Sequence, residues 1–124
     1  MIDFSELPFQ SDDLEELKEL DINFVFQPIF DTTNLEIIAV EALMRPKGMT
    51  PLELIDEYQK KKKLHVIEIA TCFGSTMEYK KRGYNYDICI NSFPSEYLNE
   101  GQMGLYFELF PEMEGKIIVE MVEY

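Results

Sequence analysis

The chain has 124 residues and a mass of 14.6 kDa, which suits one modest domain and is short for a complete eight-stranded barrel of alternating strands and helices. Its 24 acidic residues outnumber 11 basic ones, and at a net charge of −13 most of the surface repels DNA, RNA and anionic membranes. No basic segment precedes an apolar one at the N-terminus, and no apolar run is long enough to span a bilayer, so we expect neither a signal peptide nor membrane insertion.

The two cysteines, Cys72 and Cys89, are too few for a disulfide framework and lack the spacing of a metal site. Both lie in apolar surroundings, so we expect small, buried, reduced thiols. A cytoplasmic protein fits these features best.

An acidic helix and a β-hairpin are the first predicted elements. The segment SDDLEELKEL, residues 11–20, has acidic residues in its first turn, as helix N-termini favour. The segment INFVFQPIF, residues 22–30, is rich in β-branched and aromatic residues and ends at the turn sequence DTTN. The apolar run LEIIAVEALM, residues 35–44, follows at once, and two strands joined by so short a turn must be antiparallel.

Glu41 and Arg45 raise a question, because core strands rarely carry charge and these residues stand at the end of that apolar run. Either the glutamate lies at a strand end beside a site, or the run is a buried helix with a polar stripe. Composition alone leaves both interpretations open.

The rest of the chain alternates helices with strands. Thr50 and Pro51 predict the start of a helix at PLELIDEYQKKKK, and a longer helix is predicted over residues 64–82. A buried strand at residues 86–91, a helix at 101–113 and a strand at 116–123 follow. This order is typical of parallel βαβ units. We find no repeat or linker and predict a single domain, with an acidic helix and lead-in over residues 1–22 and the sheet unit over 23–124.

Polar side chains stand near the ends of three successive predicted strands. Glu41 lies near the end of the second strand and Asn91 ends the third, while Glu120 and Glu123 end the fourth. Ligands bind at the carboxyl ends of strands in parallel α/β folds, and hard oxygen donors suit Mg²⁺ or Mn²⁺ rather than zinc. Arg45 could present a planar fork to a phosphate that such a metal brings in. The alternative is that these side chains are solvated strand ends.

The stretch FQPIFDTTNLEIIAVEALMR, residues 26–45, resembles the opening of EAL domains, the bacterial phosphodiesterases that cleave cyclic di-GMP. The likeness continues through HVIEIATCFGSTMEYKKRG and CINSFPSEYL to VEMVE, which is similar to the E-x-T-E segment of the family. It covers residues 24–124 in consistent order. The resemblance implies an α/β fold: a partial TIM-like (β/α) barrel of the EAL type, with an antiparallel first strand and about half the strands of a full barrel.

The resemblance also implies the cofactor and the substrate. Glu41, Asn91 and Glu120 match the family's ligands of the catalytic metal ions, Mg²⁺ or Mn²⁺, which makes Glu41 a catalytic residue as well. The implied substrate is cyclic di-GMP, hydrolysed at one phosphodiester to linear pGpG with the help of the metals.

Three further residues match the family's substrate site. Arg45 matches a contact to a substrate phosphate, and Gln27, in FQPI, matches a contact near the guanine end. Glu123 matches a glutamate that supports a loop beside the active site.

The sequence also departs from the family. EAL domains are roughly twice as long, and this sequence ends near the fourth strand of the barrel. The family's later aspartate pair, catalytic lysine and further metal-binding glutamate have no counterpart here, and Val122 stands where threonine is usual. We therefore expect a truncated domain that is inactive as an isolated chain and self-associates through the exposed edge of the half-barrel.

Two functions follow from the resemblance. The first is the N-terminal portion of a metal-dependent cyclic di-GMP phosphodiesterase. The alternative is a non-catalytic EAL-like module that binds nucleotide or protein in cyclic di-GMP signalling. A third hypothesis, an unrelated acidic α/β interaction domain, treats the match as coincidence.

Overall fold

A computed structural model describes residues 2–5, 7–9 and 11–122, apart from the side chains of Ser11 and Pro94. The helices are α1 (Ser11–Glu19), α2 (Pro51–Lys60), α3 (Leu64–Ile69), α4 (Ser75–Lys81) and α5 (Glu100–Leu109). The strands are β1 (Ile22–Phe30), β2 (Ile37–Pro46), β3 (Asp87–Ser92) and β4 (Ile117–Met121). None of these helices combines the length and the hydropathy of a membrane span, as far as the described residues go.

The four strands form one sheet in the order β1-β2-β3-β4. The β1–β2 pair is antiparallel, whereas β2–β3 and β3–β4 are parallel. The hairpin turn is stabilised locally, because Asp31 Oδ1 accepts the Thr33 N–H at 2.8 Å. The predicted hairpin and parallel units are thus confirmed, and residues 37–46 form a strand rather than a helix. In the described part of the chain, the sheet is open.

The core lies between the helices and one face of the sheet. Phe24, Val40 and Ile88 project from that face and are buried, as are Ile67 and Phe73 from the helices. Burial of apolar surface of this kind is the main stabilising contribution in a domain of this size.

The N-terminal lead-in belongs to the same core. Ile2 and Phe4 are buried, and the Ile2 N–H donates to the Ile22 carbonyl at the start of β1. The ring of Phe4 packs so closely on Gly74 that a Cβ there would lie 3.0 Å from it. Glycine at this position therefore lets the lead-in contact the helix layer directly.

The helix predicted over residues 64–82 is observed as one helical stretch over residues 64–81, with a wider turn in its middle. Between α3 and α4 lies a π-helical turn, Ala70–Gly74. The Thr71 hydroxyl donates to the Ile67 carbonyl at 2.7 Å and competes with the backbone there, which is a known cause of local helix distortion.

Several other element ends differ from prediction by one or more residues, and two of these differences have a clear physical cause. β2 runs to Pro46 because its last residues pair with the beginning of β1. α5 stops at Leu109 instead of residue 113, because Pro111 has no N–H and disfavours helical geometry at the residue before it. The predicted cap of α2 is confirmed: Thr50 and Glu53 form a capping box.

Candidate functional site

The sheet face away from the helices carries the predicted site residues. Residues paired across neighbouring strands point to the same face, because side chains alternate along a strand. Gln27 pairs with Glu41 across the hairpin, and Glu41 pairs with Cys89 across β2 and β3. Asn91 pairs with Glu120 across β3 and β4. Four predicted site residues therefore share one face.

Glu41 and Asn91 are close enough to interact. Asn91 Nδ2 lies 3.5 Å from Glu41 Oε2, a long hydrogen bond between two partly buried side chains. The carboxamide of Asn91 carries an oxygen as well as a nitrogen. Rotation about its last side-chain bond would point this oxygen, a possible metal ligand, toward Glu41.

The Cys89 thiol is affected by the carboxylates on both sides of it. Burial raises the pKa of Cys89, and the negative charges of Glu120 and Glu41 raise it further. The two carboxylates thus act from β2 and β4 on one buried thiol of β3. Of the two, Glu120 is exposed and lies on an edge strand, whereas Glu41 is partly buried.

The expected position of Glu41 near a strand end needs correction. Glu41 lies in the middle of β2, because this strand continues to Pro46 through its pairing with β1. Pairing of β2 with β3, by contrast, stops at Glu41, so the residue ends the parallel part of the strand. Asn91 and Glu120 each stand one residue before the end of their strands.

Arg45 lies further along β2 and is exposed. Its Nη1 donates to the Met44 carbonyl at 2.9 Å, so the guanidinium is folded back on its own strand. Arg45 and Asn91 line the same cavity of about 240 Å³ at the carboxyl ends of β2 and β3. Small-molecule pockets are usually about 300–1,000 Å³, so this cavity is smaller than most of them.

Two predicted residues remain, Gln27 and Glu123. Gln27 is exposed on β1. Glu123 lies outside the described residues. The preceding Val122 is described: its N–H donates to the Ser92 carbonyl at 2.9 Å, and it lines the same cavity as Arg45.

The donor set fits a hard divalent cation. The carboxylates of Glu41 and Glu120 and the carboxamide of Asn91 are oxygen ligands that Mg²⁺ and Mn²⁺ prefer. In the described part of the chain, no group of three or more His, Cys, Asp and Glu residues could hold a metal. A cation bound by these three side chains alone would keep coordination positions for water, as Mg²⁺ commonly does.

Glu68 is a residue that the sequence reasoning missed. It lies on α3 and is buried, and it accepts hydrogen bonds from Ser92 and from the Phe93 N–H. The available signal was a carboxylate inside the apolar run VIEIA, four residues after the buried Leu64 and therefore on the same side of the helix.

Solved structures of EAL proteins share this fold. A standalone EAL protein from Vibrio cholerae O395, in its c-di-GMP bound form, matches with a TM-score of 0.71 and 20% identity over 83% of this chain and 45% of that chain. An EAL domain protein from Listeria monocytogenes EGD-e matches at 0.68 and 16% identity, over 94% and 51%. Klebsiella pneumoniae BlrP1, in a manganese and cyclic di-GMP complex, matches at 0.68 and 15% identity, over 85% and 28%.

These likenesses are likenesses of fold. No protein-family model matches the sequence, and the comparison with curated proteins finds no match. The chain spans about half of the Vibrio and Listeria structures and less of the Klebsiella one. The predicted resemblance is confirmed at this level: the chain has the fold of a partial EAL-type barrel, with an antiparallel first strand and a sheet that is not closed.

Proposed function

We propose that this chain is part of a metal-dependent phosphodiesterase specific for cyclic di-GMP, and that the open face of its sheet binds the cation and the nucleotide. The observation that carries the proposal is the 3.5 Å approach of Asn91 to Glu41, with Glu120 paired to Asn91 on the same face. Two similar structures, from Vibrio and Klebsiella, hold cyclic di-GMP, and the latter also holds manganese, which supports this assignment.

Glu41, Asn91 and Glu120 would hold a Mg²⁺ or Mn²⁺ ion through their oxygens. The ion would offset negative charge that develops on the phosphodiester during hydrolysis to linear pGpG. The guanidinium of Arg45 would leave the Met44 carbonyl and donate two N–H groups to a phosphate.

Two other residues would contact or support the substrate region. Gln27 would contact the guanine end, because its carboxamide both donates and accepts hydrogen bonds. Glu123 would support a neighbouring loop, an assignment that depends on the sequence alone.

Charge makes nucleotide binding dependent on the cation. The chain carries a net charge of −13, and two carboxylates lie on the proposed binding face. A dianionic nucleotide would be repelled from such a surface unless a cation were bound first. We therefore expect cyclic di-GMP to bind with Mn²⁺ or Mg²⁺ and not in a chelator.

The isolated 124 residues should bind the nucleotide without hydrolysing it. Arg45 and Glu120 are exposed, so a phosphodiester on this face would remain in water, where electrostatic stabilisation of a transition state is weak. The same exposure favours the alternative function, a non-catalytic module that binds cyclic di-GMP or protein.

Binding and hydrolysis can be tested together. The chain would be titrated with cyclic di-GMP in Mn²⁺ by calorimetry, and pGpG would be followed by chromatography. We expect Glu41→Gln to weaken binding at least about tenfold, equivalent to 1.4 kcal/mol. The matched control is Glu108→Gln, an exposed glutamate of α5, which should bind like the wild type. Binding that is equal in Glu41→Gln, or equal in a chelator, would contradict the metal site. Formation of pGpG that requires Glu41 would contradict only the expected lack of turnover.

We also propose that β4 mediates self-association. Ile118, Val119 and Met121 are 44%, 56% and 69% exposed, and in the described chain β4 pairs only with β3. An unpaired edge with exposed apolar residues recruits other strands, although the charge of −13 opposes association at low salt. Sedimentation should show association that rises with salt and is lost in Val119→Lys. Ile38→Lys, an equally exposed position on an inner strand, should leave it intact, and a monomer at all salt concentrations would contradict the proposal.

The cysteines support a cytoplasmic location, which we propose with the function. Cys72 and Cys89 are free; Cys89 is buried as expected, whereas Cys72 is only partly buried. Burial, with the nearby charge of Glu68, raises the pKa of Cys72 to about 12, which disfavours the reactive thiolate form. Unpaired structural thiols are usual in reducing compartments.

A further inference from the structure

Glu68 is a charged side chain that the fold buries almost completely. It is 5% exposed, and the other buried polar side chains of the described residues are neutral: Thr71, Ser75, Thr76 and Ser92. Burying a carboxylate is unfavourable unless hydrogen bonds compensate. Burial raises the pKa of Glu68, whereas hydrogen bonds from Ser92 and Phe93 act in the opposite direction. A side chain in this position needs a structural or functional reason.

Both oxygens of Glu68 bind the residues that follow Asn91. Oε2 accepts from the Ser92 hydroxyl, and Oε1 accepts from the Phe93 N–H at 2.9 Å. Because side chains alternate along β3, Ser92 points toward the helices while Asn91 points to the open face. The carboxylate therefore holds the end of β3 from the side opposite the proposed cation site.

The same segment also holds the end of β4. The Ser92 carbonyl accepts the Val122 N–H at 2.9 Å, two residues beyond Glu120, and Asn91 pairs with Glu120. The Glu68 contacts thus fix the backbone of residues 92 and 93. This backbone directly follows Asn91 and is hydrogen-bonded to the end of β4, the strand that carries Glu120.

We propose that Glu68 is a positioning residue for the cation site: across the sheet, it fixes the backbone that orients Asn91 toward Glu41. This inference rests on the proposed function of the open face. Glu68 touches neither the cation nor the nucleotide in this arrangement and acts through Ser92 and Phe93. Groups that orient metal ligands typically change metal affinity by about 10–100-fold when they are removed.

Four variants separate positioning from simple burial. Glu68→Leu removes both hydrogen bonds at similar volume, whereas Glu68→Gln keeps an acceptor for the Phe93 N–H and a polar group for Ser92. Ser92→Ala removes only the hydrogen bond between the Ser92 hydroxyl and Glu68, and it replaces Glu68→Leu in the test if that variant does not fold. The matched control is Ser75→Ala, which removes a fully buried hydroxyl that donates locally, to the Cys72 carbonyl three residues earlier at 3.4 Å.

NMR without metal comes first, followed by Mn²⁺ affinity. In Glu68→Leu the Phe93 amide should exchange at least about tenfold faster than the loss of global stability explains, and the Asn91 side-chain resonances should move. Mn²⁺ affinity should then fall about tenfold. Ser92→Ala should show the same changes to a smaller extent, and Glu68→Gln and Ser75→Ala should stay within about twofold of the wild type in Mn²⁺ affinity.

Unchanged Asn91 resonances together with unchanged Mn²⁺ affinity in Glu68→Leu would overturn the positioning role. A wild-type protein that binds no Mn²⁺ would instead overturn the proposed function. In that case the Asn91 resonances of Glu68→Leu alone decide whether Glu68 orients this side chain.

Discussion

β3 and β4 are neighbouring parallel strands of one sheet, yet their surroundings differ. In β3, Ile88, Cys89 and Ile90 are all buried, because β2 and β4 flank the strand and helices cover one face. In β4, Val119 and Met121 are more than half exposed. β3 supplies Asn91 and β4 supplies Glu120. The surrounding structure therefore restrains these two ligands of the proposed site to different extents.

This difference bears on how the site would bind a cation. Asn91 is held by pairing with β4, by the side-chain hydrogen bond to Glu41 on β2 and by the Glu68 contacts behind it. Glu120 stands on an exposed edge, so binding a cation would order it at a greater loss of conformational freedom. If a second strand pairs with β4, it should order Glu120 and strengthen cation binding through this residue more than through Asn91.

The largest expected effect is on stability. Ile88→Ala on β3 should lower the free energy of unfolding by about 2–5 kcal/mol, because Ile88 is fully buried. The same change at Ile118 on β4, 44% exposed, should cost less than about 1 kcal/mol. Urea unfolding measures both, and Ile88→Val, expected at about 0.5–1.5 kcal/mol, serves if the alanine variant does not fold. Equal costs at Ile88 and Ile118 would mean that β4 is covered in solution.

A smaller effect is expected on nucleotide affinity. Arg45 lines the cavity beside Asn91, so loss of its charge should weaken cyclic di-GMP binding on the β3 side of the site. We expect Arg45→Gln to cost about 1.5–3 kcal/mol, the range for a hydrogen bond to a charged group, and Lys47→Gln, also exposed, to cost little. Calorimetry with Mn²⁺ present measures both variants, and equal losses would indicate general attraction to positive charge.

The smallest effect concerns pH. Burial raises the pKa of Glu68 above its ordinary value of 4.5, so the folded state holds this proton more tightly than the unfolded chain does. The resulting stabilisation is present below about pH 4.5 and is lost as the pH rises through the raised pKa.

Glu68→Gln cannot titrate, so its stability relative to the wild type should improve as the pH rises through that window. The slope is at most about 1.4 kcal/mol per pH unit. Urea unfolding of both proteins between pH 4 and 8 gives the difference and removes the contribution of the other carboxylates. A difference that is constant with pH would show that Glu68 has the same pKa in both states.

Local patterns in the sequence predicted most of the sheet. The bounds of β1 were predicted as observed, because alternation and the DTTN turn are encoded within the segment itself. The extent of β2 was not predicted, because its last residues are extended only through their pairing with β1. Glu68 was missed for a similar reason: its partners Ser92 and Phe93 lie 24 and 25 residues away, on another element.

Paramagnetic Mn²⁺ allows the cation site to be tested residue by residue, because it broadens the NMR signals of nuclei close to the bound ion. On titration of the labelled chain, we expect the amide signals of Glu41, Asn91 and Glu120 to broaden first, at less than one equivalent. Signals of the acidic helix α1 should be unaffected at that point. Broadening that begins on α1, or spreads evenly over the acidic surface, would contradict the proposed site, because the ion would then follow the net charge of −13 instead of these three ligands.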